Sequence, residues 1–598
     1  MKAVLALACI AAVSPVAAHA AEPGEPAASP INTQTATSAS RTKDGIPDQL
    51  DTTQREEYRS VFGMIRDQRW QDAQLLLASM KPGPLHAIAR AELLTAKGSP
   101  KAELDPLMQL LAEAPELPQA QQIYTMAKSR GAIDLPALPE ANRLTWLGSA
   151  PVRARAKSIK SDMSAAELAI RMQPFIKADD GVSAQALLDS TQGLSPEALT
   201  EWQQKVAWIY YLQGDDNNAR TMAAKAAMGV GDWAVQAEWV GALAAWRQKD
   251  CATAGSAFER VSGRAGDVDL RAAGLYWAAR ADMVCVRPDR IEGRLKSAAQ
   301  YKETFYGLLA RQALGIKDVA PKPDRYVAAD WQVLGNRPNV RVAAALVEIG
   351  ETSLADEVIR QEAKVGNPTG FASLVRLAAT FNLPGTQVWL SQNGPVGAQP
   401  SLAARYPAPN WTPDGGWRVD KALVYAHTLQ ESRFRTDVIS KAGAYGLMQV
   451  MPAAATDIAR KHGRTYDRTA LSRPSVNMEV GQSYLEQLRD LPLTGGLLPK
   501  VIAAYNAGPA PVQLWNALSR DGGDPLLYIE SIPFWETRGY VATVLRNYWM
   551  YEAQGGKTAS PSRMALTQGM WPRFPGMAGA AAVRLTNSAS RVIASIAR

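Results

Sequence analysis

VDKALVYAHTLQESRFRTDVISKAGAYGLMQVMP, residues 419–452, is the stretch on which the reading of this chain turns. Its first half sets Leu423, Ala426 and Leu429 at helical spacing with Val424 and Tyr425 beside them, which predicts a helix with a broad core face. That helix should end at Glu431, two turns beyond Val424 on the same face, so a carboxyl group emerges from an apolar wall where the helix stops. Partial burial disfavours the charged form, and a carboxyl that stays protonated near neutral pH serves as a general acid. A loop of mixed composition follows, then Gly443-Ala-Tyr-Gly446-Leu447-Met-Gln449-Val-Met451-Pro452. Two glycines there permit close backbone approach to a ligand, and Gln449 offers an amide between two methionines.

Outward from this stretch, 598 residues suffice for several domains, and the formal net charge is +8. The first residues read Met1-Lys2, a largely apolar run to Ala18, then Ala18-His19-Ala20. This is the pattern of a cleavable secretory signal over residues 1–20, so the chain is expected to be exported. The run is too short and too alanine-rich for an anchor, and no other stretch is long and apolar enough, so no transmembrane segment is expected in the mature chain. With the signal go Lys2 and Cys9, which leaves Cys251 and Cys285. An oxidising compartment permits one disulfide between them, and two ordinary buried thiols fit equally. There are four histidines (His19, His86, His427, His462) and no ligand cluster, so neither metal nor cofactor is expected. Acidic and basic residues are interleaved along the helices, a solvated-face pattern that speaks against nucleic acid as partner.

Residues 21–51 are rich in Ala, Pro, Ser and Thr and read as a flexible leader. From Thr52 to Ala320 the chain reads as all helix, with short breaks marked by Gly or Asp. A repeat is faintly visible: Tyr211–Ala219 aligns with Trp246–Ala254, matching Ala219 to Ala254 and suggesting stacked helix hairpins with a period near 34 residues. Trp208, Tyr211, Trp239, Trp246, Tyr276 and Trp277 fall at helical spacing within apolar faces, which reads as packing between hairpins rather than sugar stacking. A Pro- and Gly-rich break between Gly394 and Trp417 marks a domain boundary.

Glu431-Ser432, then Gly446-Leu-Met-Gln449, then Ala504-Tyr505-Asn506-Ala507-Gly508 resemble the catalytic domain of the soluble lytic murein transglycosylases, whose fold is goose-lysozyme-like. Glu530-Ser-Ile-Pro-Phe-Trp-Glu536-Thr-Arg538-Gly-Tyr-Val541 looks like the family's final signature, and Asn477–Tyr484 resembles the helix between its second and third motifs. The resemblance implies a mainly α chain: a long α-helical hairpin superhelix, U-shaped or a ring, over residues 52–330, then a small helical linker domain over 331–400. A lysozyme-like α+β catalytic domain would follow over 401–555. Residues 556–598, rich in Gly, Ala, Ser and Arg with scattered Met and Trp, read by composition as a mostly disordered tail.

The implied reaction is cleavage of the β-1,4 bond between N-acetylmuramic acid (MurNAc) and N-acetylglucosamine (GlcNAc) in peptidoglycan. A single Glu acts as acid, then as base on the C6 hydroxyl, leaving a 1,6-anhydro end without water; the intramolecular attack gains from proximity. Glu431 is the candidate catalytic residue. The matching positions suggest that Gly446, Leu447 and Gln449 line the cleft, that Met451 lies under a sugar ring, and that Tyr505 and Asn506 hold the catalytic sugar with the Tyr505 hydroxyl near Glu431. Ser432 reads as a helix-end partner of Glu431, and Glu536 and Arg538 as an ion pair or as contacts to the peptide stem. His427 departs from the family pattern; packing is the expected role, and a charged ring there would lower the Glu431 pKa. A hydrolase would need a second carboxylate. Asp437, Asp457, Glu479, Glu530 and Glu536 are the candidates, and none stands in a setting that demands the role. Peptidoglycan glycan strands are the expected partner, with other cell-wall enzymes beside them. The alternatives are a water-using muramidase of the same fold and a periplasmic glycan-binding scaffold for other proteins.

Overall fold

The structure, a computed structural model, describes residues 45–160, 162–317, 324–461, 463, 465–466, 469–557 and 559–585. The expected signal, most of the leader, His462 and residues 586–598 lie outside the described residues. The end of the leader is not free chain, because Ile46 and Leu50 are buried. The chain divides into two compact units, Gln49–Pro139 and Glu140–Arg598, the latter with the short stretch before Gln49.

In the first unit, five helices follow one another from Thr52–Arg66 to Ala120–Ser129. Asp51 opens the first with a reciprocal cap: its carboxylate accepts from the Gln54 N–H at 2.8 Å while the Gln54 amide oxygen accepts from the Asp51 N–H at 3.3 Å. Tyr58, Val61, Phe62 and Ile65 then recur at helical spacing and are all buried. The Tyr58 hydroxyl accepts from the Gly83 N–H at 2.9 Å, tying a turn to the core.

The second unit begins with helix hairpins whose turn chemistry repeats every 35 residues. Asp180, Asp215 and Asp250 each cap the next helix, accepting from the N–H groups of Ser183, Asn218 and Thr253 at 3.0, 3.1 and 3.1 Å. The residue before each cap, Asp179, Gly214 or Lys249, lies in the left-handed region with φ of 50°, 84° and 63°. Ala219 and Ala254, aligned in the sequence, are both fully buried where neighbouring helices meet. Tyr211, Trp239, Tyr276 and Trp277 are buried as packing groups, while Trp208 and Trp246 stay half-exposed. Cys251, at the start of one helix, and Cys285, just past the end of Val268–Val284, form a disulfide with Cα atoms 5.7 Å apart.

The expectation of helix throughout 52–320 fails between residues 142 and 159, which run extended. The partners that hold this strap's backbone are distant in sequence. Thr145–Trp146 pair antiparallel with Asn393–Gly394, and the Leu147 N–H donates to the Gln392 carbonyl at 2.8 Å. The Pro151 carbonyl accepts from Arg546, the Ala154 carbonyl from Gln236 at 3.3 Å, and the Lys157 carbonyl from the Trp233 indole at 2.9 Å. The Ile159 N–H donates to Glu201 at 2.7 Å. Backbone groups that a helix would satisfy internally are here satisfied by three other parts of the unit.

Five short helices, from Ala328–Leu334 to Pro384–Gln392, lead into the region of the sequence motifs. There Lys421–Glu431 packs on Trp535–Gln554, a 20-residue helix buried on nearly every side from Thr537 to Glu552. The β part of this region is slight: among the described residues it consists of single bridges such as Ile439 with Tyr445 and Tyr445 with Val450, and the pair Trp571–Pro572 with Ala582–Val583. That last pair corrects the expectation of a mostly disordered tail from 556. Residues Pro561–Thr567 form a helix, Ser562 accepts from the Trp549 indole at 2.9 Å, and the buried Trp571 donates to the Gly523 carbonyl at 2.8 Å. A few large anchors in an Ala- and Gly-rich background are enough to order such a segment, which bulk composition does not reveal.

Candidate active site

Asp420 caps the Lys421–Glu431 helix by accepting from the Ala422 N–H at 2.9 Å. Every residue from Leu423 to Thr428 is buried, so the helix runs through the core; it emerges in its last turn, where Gln430 is exposed and Glu431 partly buried. The helix stops because Arg433 and Phe434 both take left-handed backbone, with φ of 53° and 62°. Such a turn costs about 1–2 kcal/mol per residue, and burial of the Phe434 ring against Tyr425 (5.7 Å) and Trp411 (6.2 Å) holds it in place.

Glu431 is partly buried, and its Oε1 accepts a 2.5 Å hydrogen bond from the Tyr540 hydroxyl. Burial among apolar groups and aromatic rings pushes its pKa from 4.5 up to about 7; the Tyr540 bond lowers it in part, and the charge of Glu536 adds to the rise. The group is therefore a proton donor near neutrality, with a hydroxyl placed to stabilise the carboxylate it leaves. His427, one turn earlier, is fully buried between the rings of Tyr505 (4.8 Å) and Tyr540 (6.1 Å). Burial drives its pKa down to about 4, so the ring is neutral packing and does not act on Glu431 as a cation.

Several expected roles are corrected. Tyr505 lies near Glu431, but its hydroxyl donates to the Met448 carbonyl at 2.8 Å, and Tyr540 supplies the contact to the acid. Ser432 is 2% exposed and bonds the Thr428 carbonyl at 3.3 Å, so it neither pairs with Glu431 nor faces a ligand. Leu447 is 0% exposed and has no side-chain surface to offer. Gly446, at φ 68°, is required by close packing against protein: a Cβ there would meet the Asn477 amide at 2.4 Å. Gln449 directs its amide nitrogen inward, to the carbonyls of Gly446 (2.8 Å) and Val438 (3.1 Å). Met451 is 45% exposed beside it. The Asn506 amide oxygen accepts from the Thr537 hydroxyl at 2.6 Å, which ties the Ala504–Gly508 motif to the Glu530–Val541 motif.

Asn477 is the residue that the sequence did not single out. Its amide oxygen accepts from the Met448 N–H at 2.8 Å and its nitrogen donates to the carbonyls of Leu471 (2.8 Å) and Tyr445 (3.0 Å). Gly481, one turn on, leaves room for Met448, whose sulfur would lie 2.2 Å from an added Cβ. An Asn and a Gly four apart on an otherwise large-residue helix face were the available signal.

Of the other carboxylates, Glu479 is buried and bonded to Arg418 (2.8 Å), the Gly415 N–H (3.0 Å) and Gln482 (2.9 Å). Burial alone would raise its pKa; these partners outweigh it and hold the group ionised. Glu530 is buried against Arg153 and Tyr306 at 2.6 and 2.7 Å. Asp457 pairs with Arg460 at the surface, and Asp437 and Glu536 are exposed. Arg538 does not pair with Glu536; it is buried, lies 4.2 Å over the Trp208 ring and donates to the Ile532 carbonyl at 2.9 and 3.1 Å. Among the described residues no His, Cys, Asp and Glu cluster could hold a metal ion.

Residues 413–526 match the family model described as Transglycosylase SLT domain. The chain is 30% identical over 284 residues to the soluble lytic murein transglycosylase of Salmonella typhimurium, an alignment covering 45% of this chain and 42% of the relative. To the soluble lytic murein transglycosylase of Escherichia coli it is 37% identical over 132 residues, 22% of this chain and 20% of the relative. The alignments thus span less than half the length of these curated relatives. The crystal structure of the soluble lytic transglycosylase SLT70 from Escherichia coli superposes with a TM-score of 0.52 at 17% identity, covering 87% of this chain and 99% of that one. The likeness to SLT70 is one of fold, and the stretch matched by the Transglycosylase SLT domain is the one that carries Glu431.

Proposed function

We propose that this chain is a periplasmic lytic transglycosylase that cleaves the β-1,4 bond between MurNAc and GlcNAc in peptidoglycan and leaves a 1,6-anhydro-MurNAc end. The observation that carries this reading is Glu431: a carboxyl with its pKa raised to about 7, emerging from a buried helix with one hydroxyl donor on it. In the first step Glu431 protonates the leaving glycosidic oxygen while positive charge develops at the sugar C1. The carboxylate, steadied by Tyr540, then takes the proton of the MurNAc C6 hydroxyl as that oxygen closes on C1. One group serves both steps because its pKa lies near the working pH. The family motifs assign sugar binding to Gln449, Met451, Tyr505, Asn506 and Glu536, and of these Met451 and Glu536 expose their side chains. Secretion rests on the sequence of residues 1–20; no described helix is long and apolar enough to cross a membrane.

A water-using muramidase is the second reading, and the exposed Glu536 favours keeping it, as the carboxylate whose charge adds to the rise in the Glu431 pKa. Mass spectrometry of material released from murein sacculi by the protein and by Glu431→Gln separates the two. Products lighter by one water, absent with the variant, support the anhydro-forming reaction. Reducing-end products move the role of base to Glu536. Binding without release by either protein overturns both and leaves a scaffold that holds glycan. Association with other cell-wall enzymes belongs to the same reading and is tested by affinity capture from cross-linked envelopes.

A further inference from the structure

The nine residues from Glu530 to Arg538, just ahead of Tyr540, are gripped from outside the motif region by side chains of three separate elements. Arg153, on the extended strap, donates to both oxygens of Glu530 at 2.6 and 3.1 Å and also reaches Asp269 at 3.3 Å. Tyr306, on the helix Phe305–Ala313, donates to the same carboxylate at 2.7 Å. From the helix Pro196–Gln213, the Tyr211 hydroxyl meets the Ser531 hydroxyl at 2.7 Å, and Trp208 lies under the Arg538 guanidinium. Arg538 in turn clasps the carbonyl of the buried Ile532, fixing the turn that starts the Trp535–Gln554 helix. Tyr540 stands in the second turn of that helix with its hydroxyl on Glu431.

We infer that Arg153 is a positioning residue for the acid: by clamping Glu530 it sets the entry of the Trp535–Gln554 helix and so the placement of the Tyr540 hydroxyl on Glu431. The inference rests on the reading of Glu431 as the catalytic group. Two features favour it over plain stability. A buried ion pair contributes less to folding than apolar groups of the same size would, so its stabilising worth is small, while its bidentate geometry fixes position. A displacement of about 1 Å at a catalytic contact costs on the order of a hundredfold in rate, and a hydrogen bond of 2.5 Å tolerates little movement. The charged and titratable groups around the clamp are Arg153, Arg155, Tyr211, Asp267, Asp269, Tyr306, Arg538 and Arg546; those around Glu431 are Tyr540, Tyr505, Glu536 and the neutral His427.

The test is a double-mutant cycle in the full-length protein, reading release of anhydro products from sacculi. Arg153→Met and Tyr540→Phe should each lower kcat about 10–100-fold with KM changed less than about twofold, and the double variant should fall no further than the worse single one. In Arg153→Met the alkaline limb of the kcat profile should also move to higher pH, because the donor that favours the Glu431 carboxylate is displaced. Multiplying losses in the double variant, or full kcat in Arg153→Met once corrected for folded fraction, overturn the inference. If Arg153→Met does not fold, Tyr306→Phe and Tyr211→Phe, each deleting one bond, replace it in the cycle, and unchanged kcat in both overturns it equally. An inactive wild type overturns the reading of Glu431 and this inference together; an active wild type with multiplying losses overturns this inference alone.

Discussion

Replacing Glu431 with Gln should stabilise the protein, and should do so more strongly as pH rises. The carboxyl titrates at an ordinary 4.5 in the unfolded chain and at about 7 in the fold. Between these values the folded protein holds a proton that the unfolded chain has released, so stability falls through that window as pH rises and levels off above it. The full cost is about 3.5 kcal/mol at about 1.4 kcal/mol per pKa unit, reduced to about 2–3 kcal/mol because the group is partly open to solvent. Gln cannot ionise, yet its amide oxygen still accepts from Tyr540, so the variant removes the cost and keeps the contact. Urea unfolding of wild type and Glu431→Gln, followed by tryptophan fluorescence, should show the variant's advantage growing by about 2 kcal/mol between about pH 5 and pH 8. An advantage that is the same at both pH values, or a variant less stable at the higher one, would mean that Glu431 is not desolvated in the fold, and the acid role would lose its physical basis.

Asn477→Ala removes three hydrogen bonds, two to the Tyr445–Met448 turn and one to the Leu471 carbonyl, and leaves the Met448 N–H unpaired, so a loss of about 2–4 kcal/mol is expected in the same unfolding assay. A fall in kcat/KM should accompany it, since Gln449 and the carbonyl held by Tyr505 lie on that turn. Opening the Cys251–Cys285 disulfide, by reductant or by a paired change to Ser, frees a loop with a sequence separation of 34 and should cost about 4 kcal/mol while leaving kcat unchanged. Mass spectrometry of the unreduced, alkylated protein checks the bond itself. His427→Leu should leave the alkaline limb of the kcat profile near about pH 7 within half a unit, because the ring is neutral down to about pH 4; disappearance of that limb would assign it to His427 instead of Glu431.

The acid was legible because its cause is local: a run of large apolar residues at helical spacing with a carboxyl at the end predicts both the burial and the raised pKa. The identity of its partner was not. Tyr540 and Glu431 are 109 residues apart, and the resemblance pointed to Tyr505; only the packing of the two helices brings the Tyr540 hydroxyl to the carboxyl. Ser432 was read as a partner of Glu431 and Leu447 as part of the cleft because both belong to the motifs, whereas the packing of helix and loop turns each of them into the core. The repeat was visible as an alignment of Ala219 with Ala254, yet its clearest mark is the left-handed residue and Asp cap at each turn, a backbone property that Gly214 alone announces in sequence. The strap between residues 142 and 159 left no periodicity to read, since its partners are scattered from Glu201 to Arg546.

That strap bears on how freely such a protein can be recombined. The parts of the second unit follow one another in sequence, as separable modules do, but one extended segment laces them: it forms a strand pair at Asn393–Gly394, engages Trp233, Gln236 and Glu201 among the hairpins, and meets Glu530 and Arg546 in the motif region. Cutting out the motif region as a contiguous fragment would strip Glu530 of Arg153 and expose a carboxylate that the fold keeps dry. Insertions or fusions that lengthen or displace the strap would be felt in all three places at once. Evolutionary shuffling of this catalytic fold onto other partners therefore has to replace the strap's contacts as well as the domain boundary.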